Sequence, residues 1–313
     1  MRALVTGAAG FIGSHLVDRL VADGHRVTGL DDLSTGTLAN LAAARRSKQF
    51  GFSNFDITSP DLGALVAKER PDVVLHLAAQ PDVRASVADP LQDCRTNVVA
   101  TVNLLEACVR AKVPRLVFAS SGGTVYGEPS RLPISERAAL HPTSPYGVAK
   151  VSGEAYVAAY QRLHGLAGCS LRIGNVYGPR QDPRGAAGVV AVFAGALVRG
   201  NPTTVFGDGT SSRDYVYIDD VVDAFVRCLG GKADGRRLNI GSGTATSVRR
   251  LHSLVAAAVG SADAPTFAPA RPGELRAIAL DSGHARRALG WEPVVGLEQG
   301  LAQTVEWVRA GKR

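Results

Sequence analysis

Apolar residues fall along the chain in short runs, separated by longer stretches in which they recur at helical spacing. The runs at residues 3–6, 26–30, 49–52, 73–77, 115–119 and 169–173 are β-branched or aliphatic and predict strands. Between them, stretches such as the one carrying Phe11, Ile12, Leu16, Val17, Leu20 and Val21 predict amphipathic helices. Such alternation favours an α/β architecture, a doubly wound parallel sheet with helices on both faces. The segment 71–79 is apolar through its middle with no polar alternation, as suits a strand covered on both sides. After about Asn175 the rhythm loosens. Glycine and proline cluster at 178–188, 200–209, 230–243 and 269–273, which predicts a smaller second lobe. The uncharged stretch 185–198 is shorter than the ~18–20 residues needed to cross a bilayer and predicts a buried helix.

Composition narrows the class. The 313 residues, 45% of them hydrophobic, can bury one large core or two. The net charge of +7 is spread, with arginine pairs at 45–46, 236–237, 249–250 and 286–287 and no interleaved aromatics. That pattern suits a solvated surface with some pull on small anionic substrates rather than a nucleic-acid face. The N-terminus reaches Gly7 before a secretory apolar core could build, so the expected location is the cytoplasm, away from membranes. Cys94, Cys108, Cys169 and Cys228 lie far apart without metal-ligand spacing, so reduced thiols and no metal site are expected.

Two motifs carry chemistry. Gly7-Ala8-Ala9-Gly10-Phe11-Ile12-Gly13 sits between a predicted strand and a predicted helix. A dinucleotide needs that arrangement: a tight turn, a close approach to pyrophosphate, and a helix N-terminus aimed at the phosphates. Asp31 follows the second predicted strand, where a carboxylate takes both hydroxyls of an adenosine ribose and repels a 2′-phosphate, which favours NAD over NADP. The expected fold is therefore a Rossmann-type sheet. The second motif is Ser144-Pro145-Tyr146-Gly147-Val148-Ala149-Lys150. Ser144 and Pro145 read as a helix start, placing Tyr146 and Lys150 four apart on one face. An ammonium beside a phenol lowers its pKa from ~10, which makes Tyr146 a general base for a sugar hydroxyl, while Lys150 can also hold a nicotinamide ribose.

With its G-x-x-G-x-x-G spacing, the chain resembles the short-chain dehydrogenase/reductase superfamily in its extended form. The resemblance implies that Asp56 and Ile57 contact adenine and that Leu77, Ala78 and Ala79 line the adenosine and pyrophosphate. It further implies that Asn97 fixes the lysine's surroundings and that Ser120 and Ile173 join the cofactor contacts. Residues 172–183, 206–220 and 271–274 resemble the nucleotide-sugar branch, most closely the UDP-glucose 4-epimerases. That likeness implies a UDP-sugar whose diphosphate meets Arg213 and Arg271, with Asn175 near the sugar–phosphate link. Val189 and Phe206 would lie near uracil, and Glu274 on the uridine ribose. The implied reaction is a redox cycle with no net redox, in which Tyr146 takes the 4-hydroxyl proton and a 4-keto sugar turns over before hydride returns. The implied domains are an NAD-binding unit at 1–175 and a mainly nucleotide-sugar-binding unit at 176–313, with a segment near 214–242 rejoining the first.

One departure stands out. In Ser120-Ser121-Gly122-Gly123-Thr124-Val125-Tyr126, glycine occupies position 122, where many epimerases carry a hydroxyl side chain, so Ser121, Thr124 or a water must supply it. Nucleotide-sugar 4,6-dehydratases carry an Asp-Glu pair where Gly123-Thr124 stands here, which disfavours dehydration. A uronic-acid epimerase or decarboxylase needs a cation for the substrate carboxylate, for which Arg84 and Arg184 are candidates. Ile278 falls where some relatives gate N-acetylated sugars. A non-catalytic NAD-binding regulator is the alternative from another class, and it would need neither Tyr146 nor the arginines. Apolar positions Val98, Val99, Val102, Leu105 and Val109, with Val151, Ala155, Ala158 and Ala159, extend beyond the faces the sheet requires. The resemblance implies that those two helices form a four-helix homodimer interface.

Overall fold

The chain begins with β1 (Arg2–Thr6), which runs into the glycine turn, α1 (Phe11–Ala22) and β2 (Arg26–Asp31). It continues through β3 (Phe50–Asn54), α2 (Leu62–Glu69), β4 (Val73–His76), α3 (Val83–Ala88) and α4 (Pro90–Cys94). A π turn, Arg95–Val99, leads into α5 (Ala100–Arg110), β5 (Arg115–Ser121), α6 (Pro145–His164) and β6 (Ala167–Ile173). Then come β7 (Asn175–Tyr177), α7 (Val189–Val198), β8 (Thr204–Phe206), β9 (Ser212–Tyr217), α8 (Ile218–Cys228) and β10 (Arg237–Ile240). The last elements are β11 (Ala245–Ser247), α9 (Val248–Val259), β12 (Thr266–Ala268), α10 (Gly283–Leu289) and α11 (Leu297–Arg309). This is a computed structural model, and it describes residues 1–183, 188–270 and 275–311.

Seven strands lie parallel in the order β10-β6-β5-β4-β1-β2-β3. The chain steps outward from β1 to β3, then crosses back to β4 on the other side of β1. The strand order reverses there, so the C-terminal ends of β1 and β4 open a crevice, the place where ligands bind in sheets of this kind. Every residue of β4 is buried, as the unbroken apolar run predicts. A smaller lobe holds the mixed sheet β11-β9-β7, the parallel pair β12-β8, and α7, α9 and α11 packed together. β10 lies beside β6 in the large sheet although the chain reaches it only after building β7, β8 and β9.

One apolar cluster runs from Leu16, Val17 and Leu20 of α1 to Phe225, Trp291 and Val305, tying the sheet to the smaller lobe. A second covers the opposite sheet face with Leu4, Leu62, Val66, Leu104, Phe118 and Val157. A third, small cluster of Val125, Tyr126, Ile134, Ile278 and Leu280 sits beyond the C-terminal end of β5.

Where the elements differ from expectation, pairing or packing decides. β6 starts two residues before the predicted 169 because Ala167 and Gly168 pair with Arg115 and Leu116 of β5, which outweighs their weak strand preference. The helix expected after Pro90 is broken into α4, the π turn and α5. Leu105 is corrected from its expected outward place, since it is fully buried in the second cluster. Val99, by contrast, is exposed. No described helix is long and apolar enough to cross a membrane.

Candidate active site

At the C-terminal end of β1 the backbone packs too closely for side chains. Gly7 has φ +69°, and a Cβ there would lie 2.8 Å from the Ala78 nitrogen. A Cβ on Gly13 would run into the Gly7 carbonyl oxygen. Leu77 and Ala78 thus lie directly against the glycine turn, with Ala79 the next residue along the chain. Gly10 caps α1 without a side chain, so no cap side chain accepts from the first amides of that helix. Asp31, at the end of β2, accepts from the Ala9 amide at 2.9 Å and the Leu33 amide at 2.8 Å. Burial raises its pKa against the pull of those amides. Ile57 is buried nearby in sequence to Asp56, which is exposed and caps its own turn through the Thr58 amide at 2.8 Å.

Farther along the sheet, α6 packs on β5 and β6. The Ser144 hydroxyl accepts from the Gly147 amide at 3.1 Å, and Pro145 opens the helix, as the sequence predicts. Tyr146 is half-buried, with its amide donating to the Ser86 hydroxyl at 3.2 Å. Lys150 is buried, donates from Nζ to the Ala119 carbonyl at 3.0 Å, and places Nζ 5.5 Å from the Tyr146 ring centroid. Burial pushes Lys150 down to about 8, against the opposing charges of Asp93 and Glu154. The expected lowering of the Tyr146 pKa is corrected. Desolvation pushes the phenol up, and the negative charge of Asp93 pushes it the same way, while the ammonium stands over the ring.

A buried polar chain, unforeseen in the sequence, joins the glycine turn to α4. The Thr101 hydroxyl donates to the Asn97 carbonyl at 2.7 Å, so it accepts from Nε2 of His76 at 3.0 Å. Nδ1 of His76 then accepts from the Thr6 hydroxyl at 2.8 Å, whose oxygen in turn accepts from the Leu77 and Ala78 amides at 3.2 and 3.1 Å. This fixes the imidazole tautomer, and burial pushes His76 down to about 3, so it stays neutral. Asn97 sits in the π turn. Its Nδ2 donates to the Gln80 carbonyl at 3.0 Å and to Oδ1 of Asp93 at 2.8 Å.

Glu154, one turn beyond Lys150, accepts from Ser120 Oγ at 2.6 Å and is gripped by Arg172 through Nε at 2.8 Å and Nη2 at 2.6 Å. The Ser120 hydroxyl is therefore spent inside the protein. Arg172 also donates to the Tyr126 hydroxyl at 2.9 Å, which donates to Asn239 at 2.7 Å, so the cluster clamps β5, β6, β10 and α6 together. Ile173, the last residue of β6, is buried beside them. The spacing of Lys150 and Glu154 was the only sequence signal for this clamp.

Beyond the C-terminal end of β5, a Cβ at Gly122 would run into Cδ1 of Leu280. Leu280 is held there by its amide, which donates to the buried Asp214 at 2.9 Å. Among the described residues the Thr124 hydroxyl oxygen is buried without a hydrogen-bond partner, whereas Ser121 is half-buried. Asn175 is half-buried, with its Oδ1 3.6 Å from where a Cβ on Gly123 would stand. Arg213 is half-buried and donates to the Ser212 carbonyl at 2.8 Å. Val189 opens α7 half-buried, Phe206 is exposed at the end of β8, and Ile278 is fully covered in the third cluster. Arg84 is exposed on α3, 3.7 Å from Asp82. Arg184, Arg271 and Glu274 lie outside the described residues.

A sequence model of the NAD dependent epimerase/dehydratase family matches residues 3–241, which span β1 to the end of β10. The chain belongs to this family. It is 53% identical over 309 residues, 99% of each chain, to a Mycolicibacterium smegmatis protein named UDP-glucose 4-epimerase. The structure superposes on the Thermotoga maritima UDP-glucose 4-epimerase with UDP-glucose at a TM-score of 0.96, with 42% identity and all of both chains covered. It superposes on the Thermus thermophilus UDP-glucose 4-epimerase complex with NAD at 0.92, with 42% identity and 99% of each chain covered. The Rossmann-type α/β expectation and the resemblance to NAD-dependent nucleotide-sugar enzymes are thereby borne out.

Proposed function

We propose that the protein is an NAD-dependent UDP-glucose 4-epimerase that interconverts UDP-glucose and UDP-galactose through a 4-keto sugar. The observation that carries this reading is the convergence of the glycine cradle and the Tyr146–Lys150 pair at the C-terminal edge of one parallel sheet. The cradle fits a dinucleotide, because its glycines leave bare backbone where any Cβ would collide, and its helix starts without a capping side chain. Gly7, Gly10, Phe11, Ile12 and Gly13 would hold the pyrophosphate, Asp31 the adenosine ribose, and Asp56 and Ile57 the adenine. Leu77, Ala78, Ala79, Asn97, Ser120 and Ile173 would complete the cofactor's walls. Bound there, NAD supplies a reversible hydride acceptor for sugar C4 and a positive charge that, with Lys150, favours the phenolate of Tyr146.

The Tyr146 phenolate takes the C4 hydroxyl proton and returns it when the sugar has turned its other face. Lys150 keeps its ammonium next to the ring and binds the nicotinamide ribose. The orphaned hydroxyl of Thr124 is the donor to the C4 oxygen, with Ser121 as its neighbour, because Leu280 fills the space a side chain at position 122 would use. Arg213 and Arg271 would clamp the diphosphate with forked guanidinium donors, Asn175 the sugar–phosphate link, Val189 and Phe206 the uracil, and Glu274 its ribose. Residues 1–175 act as the NAD-binding unit and 176–313 mainly as the nucleotide-sugar unit, with 214–242 serving the first through β10. The chain works in the cytoplasm as a homodimer whose four-helix bundle pairs the α4–α5 and α6 faces of two copies.

A product assay across UDP-glucose, UDP-galactose, UDP-glucuronate and UDP-N-acetylglucosamine tests the reading. Interconversion of the first two is the expected result. Conversion of UDP-glucuronate alone would overturn it, and turnover of none would favour a regulatory NAD-binding protein.

A further inference from the structure

One buried carboxylate close to the α6 pair carries no cation of its own. Asp93, on α4, is buried, and its Oδ1 accepts from Nδ2 of Asn97 at 2.8 Å and Nε2 of Gln80 at 3.2 Å. Both donors are neutral, and among the described residues no cation forms an ion pair with it. A buried carboxylate so placed is costly unless a nearby charge answers it. The α4 helix packs on α6, and Lys150 is the cation whose charge acts on Asp93.

Of the other charged groups around the pair, Glu154 also supports the Lys150 ammonium but is itself shared with arginines, and the rest are balanced or turned away. On α6, Glu154 is bound by Arg172 and lies 3.3 Å from Arg237. On β4, His76 is neutral. On α3, the exposed Arg84 stands beside Asp82. Asp89 caps α4 through the Gln92 amide at 2.9 Å, Arg95 in the π turn is exposed, and Arg110 and Glu106 of α5 pair with each other at 3.4 Å.

We propose that Asp93 is a positioning residue for the reaction, the buried counter-charge that keeps Lys150 an ammonium beside Tyr146 and that Gln80 and Asn97 hold in place. The proposal rests on the epimerase reading of that pair. Its charge sustains an ammonium that burial otherwise drives down to about 8, and it also holds up the phenol of Tyr146. Removing the charge therefore lowers both ionisations together.

Asp93→Asn keeps the shape and the Oδ1 acceptor while removing the charge. In the pH profile of kcat the limbs belong to the coupled Tyr146–Lys150 pair, and because removing the charge lowers both ionisations, both limbs move to lower pH by about one unit. Asp93→Glu, which keeps the charge, leaves both limbs in place, and Asp93→Ser serves as a second neutral variant if Asp93→Asn does not fold. A readout independent of turnover is the carbon-13 NMR titration of labelled lysine side chains, with Lys150→Arg assigning the Lys150 signal. Its midpoint near 8 falls by about one unit in the neutral variants. A lowered plateau with unmoved limbs and an unmoved Lys150 midpoint would overturn the proposal. If the wild type converts neither sugar, the epimerase reading fails while the NMR titration still decides the role of Asp93.

Discussion

Leu280 occupies the space that any side chain at position 122 would need, and the Asp214 carboxylate fixes it there through its amide. Gly122→Ser should therefore destabilise the fold by about 1–3 kcal/mol, the usual range for overpacking. In urea unfolding, the cost of Gly122→Ser should be smaller in a Leu280→Ala background than in the wild type; a Gly122→Ser variant as stable as wild type would show that the slot is not filled. At this scale the sequence revealed residues whose chemistry is local. Gly7, Gly10 and Gly13 show through backbone demands within one turn, and Tyr146 and Lys150 through helical spacing. Asp93, His76, Thr101 and Leu280 stayed hidden, since each acts through a partner far along the chain, as His76 does through Thr6 at a separation of 70 residues.

Elements were legible wherever their pattern was self-contained. The strands before β7 and the start of α6 followed from apolar runs and from the Ser144 cap. The π turn at Arg95–Val99 did not, because no residue type marks it; it adds a residue to the helical turn and thereby turns Asn97 toward Gln80 and Asp93. The outer face of α6 was only half read. Val148, Ala155, Tyr156 and Leu163 are exposed and share one side of that helix, while Val157 points into the core. Leu91 and Val99 are exposed on the neighbouring segment, with Leu163 at 74% and Leu91 at 70%. Apolar side chains so bare favour a self-complementary interface. Leu163→Asp should shift the protein from dimer to monomer in sedimentation at micromolar concentration, and a wild type that sediments as a monomer there would contradict the homodimer.

For the whole molecule, the decisive feature is topological. The reversal of strand order at β1 and β4 opens the crevice that the glycine cradle lines, and Leu280, whose amide Asp214 holds, lies over the residue that follows β5. The looser rhythm after Asn175 coincides with the small sheets β11-β9-β7 and β12-β8, whereas the pairing of β10 with β6 had no signal of its own, since four residues of strand carry no address. All of this geometry converges on one phenol. The most direct measurement is the rate of UDP-glucose and UDP-galactose interconversion by Tyr146→Phe beside the wild type, both folded and equally able to bind NAD. The account predicts a loss of about 10³-fold or more, in the range expected for removal of a general base. An unchanged rate in that variant would contradict it.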